Sequence, residues 1–322
     1  MANYSNDFSI ENLEVIRRYQ SNEDNVFFAY SEFSYNTLVG AYEPFLDIIC
    51  NMHRHFIGGS FDDFQKECGV YYLHRQVLNS YYETGECFRE ETVLLNEVAY
   101  EQRRMTKAIV DMLKRLSEVR PLMIVINRFQ MASKSSIETI KYLIDNPCTN
   151  IGIVLGVNVQ VKGTDSTVEV WDRIVESLED RSAIYYIGSA GQQKNHIRDA
   201  SDDELYITTN FEQSIQEASN IMEFLDYEQA KRGCRIIEHK IKFEDAWIDE
   251  KSLRRFYLIY ARTSVLLGEM SKAIELTNEY KALIPESDSE HYFSIYYFMK
   301  GTCYMYQGKL EKAEGCAKKA YD

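Results

Sequence analysis

The feature that most constrains this chain is a five-residue apolar run, Leu122-Met123-Ile124-Val125-Ile126, set between Pro121 and Asn127. A short, continuous run rich in β-branched residues predicts a strand buried on both faces, the environment of a parallel sheet. In the polar stretch that follows, Ser133 or Ser135 stands where a helix N-cap is needed. Beyond it Ile137, Ile140, Leu143 and Ile144 recur at helical spacing, so residues 120–146 read as strand, loop and helix. The loop lies at the carboxyl end of the strand, where open α/β sheets place their ligand sites.

The same alternation extends to either side. Ile10, Leu13 and Ile16 predict a helix over 9–20, with Ser9 as its N-cap, and Val26 to Tyr30 reads as a short strand. A loop containing Tyr42, Pro44 and Phe45 then opens a largely helical stretch, 45–118. Val98, Met105, Ile109, Met112, Leu113 and Leu116 put a long amphipathic helix over 93–119. It leads straight into the apolar run, as a crossover helix of a parallel sheet does. Residues 150–158 predict a further strand ending at Asn158. A helix through Trp171 and Leu178 and a fourth strand at 183–188 follow. About four strands alternating with helices predict an α/β domain over 1–204.

From 205 to 322 no strand pattern is present, only paired helices. Tyr257, Ala261, Gly268, Ala273 and Pro285 form one helical-hairpin unit. Tyr297, Gly301, Tyr304, Gly308, Ala313, Ala317 and Ala320 form the next, and a looser unit centres on Ala230. The three alanines Ala230, Ala273 and Ala313 lie 43 and 40 positions apart (273 − 230 and 313 − 273). Small residues allow two helices to approach closely, and a glycine ends the first helix before its turn.

Two resemblances rest on these residues. The stretch around Phe129-Gln130, Ala132 and Ser135-Ser136 resembles the Walker B region of signal-transduction ATPases of the STAND and AAA type. That resemblance implies a P-loop-NTPase-like parallel sheet. In the family the strand ends in two acidic residues that hold Mg²⁺ and orient water. Here Asn127 and Arg128 occupy those positions, and Ser133 replaces an acidic residue of the loop. Asn158 stands where the family carries a sensor residue, and as a strand-end residue it equally suits the capping of a turn. No G-x-x-x-x-G-K-S/T motif is present, so the phosphate-cradling nest is missing. The expected state is a degenerate ATPase-like domain that hydrolyses no ATP and holds no cofactor. ATP and Mg²⁺ would enter only with a phosphate loop upstream, the chain being read as a fragment. The second resemblance is of the units in 205–322 to tetratricopeptide (TPR) repeats, which implies an all-α helical solenoid.

Composition bounds the rest. With 36 Lys and Arg against 50 Asp and Glu, a net charge of −14 argues against nucleic acid or an anionic membrane as partner. Seven scattered cysteines without a C-x-x-C pair, and no basic-then-apolar leader, predict a cytoplasmic protein with reduced thiols. His53 and His55, with Cys50, read as packed or surface residues in preference to metal ligands, since positions two apart on a helix do not share a face. The expected function is that of an intracellular signalling or regulatory protein, whose TPR-like array binds a protein or peptide. Its expected partner surface is lined by tyrosines including Tyr257, Tyr260 and Tyr297. The alternative is an ATP-dependent switch whose phosphate loop lies upstream.

Overall fold

The computed structural model describes residues 25–33, 38–89, 93–156, 211–243 and 248–321. The expected helices at 9–20 and 170–178, the strand at 183–188 and Asn158 lie outside them. The chain divides into two compact units, one of residues 1–90 and 102–206, the other of 91–101 and 207–322.

The first unit is built on three parallel strands in the order β1-β2-β3: Phe27–Glu32, Leu122–Asn127 and Ile151–Leu155. The apolar run is the central strand, and Leu122 to Ile126 are all buried, as a strand covered on both faces requires. On one face Met123, Val125 and Val154 form a cluster joined by Val26 and Phe28. Gly152 sits so close to Met123 that a Cβ there would fall 2.8 Å from its Cε. Helix α1 (Phe45–Met52) continues into a π-helical turn, His53–Ile57, and is followed by α2 (Phe61–Glu67) and α3 (Tyr72–Thr84). Ser60 caps α2 through the Asp63 amide, and α3 stops at Gly85, whose φ of 74° suits a residue without Cβ. Helix α4 (Val98–Val119) buries Met105, Ile109, Met112, Leu113 and Leu116 at the expected spacing. It starts five residues later than expected, because 93–97 closes as a turn in which the Glu97 amide donates to Leu94 O. Helix α5 (Lys134–Asp145) follows β2 and is capped by Ser133, whose Oγ accepts the Ser136 amide.

The second unit is all-helical: α6 (Phe211–Glu223), α7 (Tyr227–Phe243), α8 (Glu250–Leu266), α9 (Met270–Ala282), α10 (Ser289–Tyr306) and α11 (Leu310–Tyr321). These form three hairpins, α6–α7, α8–α9 and α10–α11. Each turn is closed the same way, by a left-handed residue at Leu225, Gly268 or Gly308. The amide of each left-handed residue reaches back three positions, and the next amide reaches back five. That is the Schellman arrangement, which satisfies the last carbonyls of a helix. In all three hairpins the alanine five positions on (Ala230, Ala273, Ala313) donates its amide to the residue that follows the left-handed one.

Candidate functional site

Parallel pairing puts the ends of all three strands at one edge of the sheet, so the segments following β1 and β2 converge there. Glu32, the last residue of β1, is paired in register with Asn127, the last of β2. Asn127 turns its side-chain oxygen onto the amide of Arg128, 3.0 Å away. Arg128 adopts a left-handed backbone, φ 55°, which is unusual for a residue with a Cβ. That conformation carries its guanidinium to Glu32, with Nη2 to Oε1 at 3.1 Å, and Nη1 lies 3.5 Å from Phe33 O. The other oxygen of Glu32 accepts the Tyr30 hydroxyl at 3.0 Å. The positive charge at the end of β2 is therefore matched by a carboxylate from the neighbouring strand. Gln130, in the short 3₁₀ turn Phe129–Met131, is buried.

Behind this ion pair lies a buried hydroxyl cluster. Ser133 Oγ stands 3.0 Å from Ser135 Oγ and 2.9 Å from Ser136 Oγ. Ser135 Oγ accepts the Tyr42 amide at 2.9 Å, and Ser136 donates to Glu43 O at 2.7 Å. Tyr42 is itself left-handed, φ 57°, with its ring in the core and its hydroxyl 3.4 Å from Thr106 Oγ1. The serine pair of the motif thus works as a clamp between the start of α5 and the segment after β1. Chemically, the Glu32 carboxylate is already bonded at both oxygens, and Asn127 is an amide that cannot act as a base. Asn127, Arg128 and Gln130 follow one another along the strand end and its turn, while Asn158 is outside the described residues.

The other candidates fall elsewhere. His53 is fully buried among Phe61, Phe64 and Tyr82, with Nδ1 3.1 Å from the Tyr82 hydroxyl. Its burial, with Arg54 beside it, holds its pKa below the usual histidine range. His55 is exposed and bonds to Asn51 O, while burial pushes the Cys50 thiol up to about 12. No group of three His, Cys, Asp or Glu that could hold a metal ion occurs among the described residues. Nor is any described helix long and apolar enough to cross a membrane.

In the helical unit Ala230, Ala261 and Ala273 are fully buried at helix crossings, and Gly301 backs onto Cys316 and Ala313. Ala313 and Ala320 on the last helix are half-buried, as are Tyr257 and Tyr304. Pro285 precedes the 3₁₀ turn Glu286–Asp288. Tyr260 departs from the expected partner surface: only 2% of it is exposed, and its hydroxyl reaches Glu238 at 3.4 Å. It belongs to the core because α8 turns it toward α7, a direction that an unassigned helix pattern does not reveal. Sequence reasoning missed Glu32 as the partner of Arg128; the strand register that pairs it with Asn127 becomes visible only in the fold. No protein-family model matches the chain, and no curated protein or solved structure matches it significantly.

Proposed function

We propose that this chain is an intracellular regulatory protein, in which a catalytically degenerate ATPase-like α/β unit is coupled to a TPR-like array that binds a protein or peptide. The observation that carries the reading is the Arg128–Glu32 pair. A guanidinium sits where a Walker B strand would present its carboxylates toward a metal ion, and it engages the carboxylate nearest by. An ATPase needs that position for Mg²⁺ and for water. Here it holds two strand ends together. The strand, loop and helix of 122–145, with the serine clamp at Ser135-Ser136, support the likeness to the ATPase fold. Three hairpins with the same turn and an alanine at the same position of the second helix support the likeness to TPR repeats, whose stacked helices present extended surfaces to partners. Seven free cysteines support a reducing compartment.

The test is phosphate release from ATP with Mg²⁺ by the purified chain, against a no-protein control. The expected result is no release above control. Release that disappears in Gln130→Ala would overturn the degenerate reading.

A further inference from the structure

Residues 91–101 precede most of α4 in sequence, yet they belong to the helical unit. The described part, 93–101, brings its own structure. The Glu97 amide donates to Leu94 O at 2.9 Å, and the Glu97 carboxylate accepts the Leu94 amide at 3.4 Å. Glu97 O then starts α4 by accepting the amides of Tyr100 and Glu101, each at 2.9 Å. This leaves the Leu95 amide outside the helix ladder, and it donates to Tyr306 Oη on α10, 3.0 Å away and 211 positions along the chain. Residues 93–100 are half-buried or exposed, with Leu94 47% and Tyr100 61% exposed, and only Glu101 at the α4 end is buried. A self-structured turn with a free-standing backbone donor, seated shallowly on a helix of an array, has the properties of a bound peptide.

We infer that the surface of α10 around Tyr306 is a peptide-binding site, held in cis by residues 93–101. Its occupant in trans is a peptide of the same chemistry, two leucines leading into an Asn-Glu helix start. The inference rests on the reading of the helical unit as an interaction array, and it names the ligand class. A tethered segment competes at an effective concentration on the order of millimolar, so it keeps out weak ligands and yields to stronger ones. Shallowly held segments open locally without unfolding the rest, which makes such an exchange accessible.

The test uses the full chain and a fluorescent peptide of residues 93–104, followed by anisotropy. Leu95→Pro in the protein removes the amide that the cis segment donates, while the peptide keeps its own. The peptide is expected to bind Leu95→Pro at least about tenfold more tightly than the unaltered chain. Adding Tyr306→Phe should weaken that binding about fivefold, the worth of one hydrogen bond. Equal affinity for both proteins, or binding to neither, would overturn the inference. Should Leu95→Pro fail to fold, amide exchange decides. Leu95 should exchange about fivefold faster or more in Tyr306→Phe than in the unaltered chain, with Leu122–Asn127 unchanged, and an unchanged Leu95 rate refutes the site. Failure here leaves the array reading intact, because that reading is tested separately through Ala273.

Discussion

Ser136 donates its hydroxyl hydrogen to the carbonyl of Glu43, 2.7 Å away and 93 positions earlier, and so fastens the first turn of α5 to the segment that follows β1. The bond is part-buried, and Ser136 itself has no exposed surface. Ser136→Ala leaves the carbonyl without this donor, which typically costs about 1–3 kcal/mol. Lys141→Ala, on the half-exposed side of the same helix, should change stability by less than about 0.5 kcal/mol. Urea denaturation of the two variants checks this. Equal midpoints would mean that the clamp contributes nothing.

Arg128 sets an ion pair against backbone strain. Both side chains are more than a third exposed, so solvent screens the pair and its removal should cost no more than about 1 kcal/mol. The left-handed backbone, in contrast, disfavours any residue with a Cβ by about 1–2 kcal/mol. Arg128→Gly should therefore be more stable than Arg128→Ala by about 1 kcal/mol, although both lack the charge. Thermal melts of the two variants decide the matter, and Ala matching Gly would show that φ relaxes on substitution.

The hairpin turns predict opposite signs for one chemical change. Gly268 holds φ 78°, and Gly268→Ala should destabilise by about 1–2 kcal/mol even though no atom crowds the position. Gly315 lies exposed inside α11 with open space around it, so Gly315→Ala should stabilise by about 0.5–1 kcal/mol. Chemical denaturation of the full chain gives both numbers.

Ala273 has no exposed surface, whereas the Glu275 side chain, two positions on, is 61% exposed and pairs with Lys272. Ala273→Leu forces extra volume into a helix crossing, typically at about 1–3 kcal/mol, and should lower the melting temperature of the full chain markedly. Glu275→Leu should leave it nearly unchanged. An Ala273→Leu protein as stable as Glu275→Leu would remove the basis for the repeat register.

Two buried histidines give the stability a pH dependence. Burial, with Arg89 and Arg104, drives the pKa of His74 down to about 3, and burial with Arg54 lowers that of His53. Between pH 6.5 and the folded values the unfolded chain binds more protons, so stability rises with pH there and is lost on acidification. Each histidine contributes at most about 1.4 kcal/mol per pH unit. Urea midpoints at pH 7, 6 and 5 should fall with pH, and His74→Gln should flatten the slope. An unchanged slope would show that His74 titrates alike in both states.

How far the sequence foretells this structure depends on the range of each interaction. The central strand, the Ser133 cap and the inward face of α4 follow from patterns within a dozen residues, and all three are seen. The 43- and 40-residue spacing of the alanines reappears in the turns, at 225, 268 and 308. Leu225 hides its turn, because a leucine signals no left-handed residue. Here its side chain is only 2% exposed, and burial offsets the strain. The Glu32–Arg128 pair and the burial of Tyr260 each depend on a partner from a distant element. No local pattern encodes those partners.

The three hairpin turns are equally short. Residues 224–226, 267–269 and 307–309 join the helices within each hairpin. Each three-residue turn has its bonding fully assigned, so one inserted residue would misplace the left-handed position and shift the whole second helix by about 100° around its axis. Each hairpin of this half is thus a unit of fixed length, in which one residue gained or lost at the turn costs the second helix the face it buries.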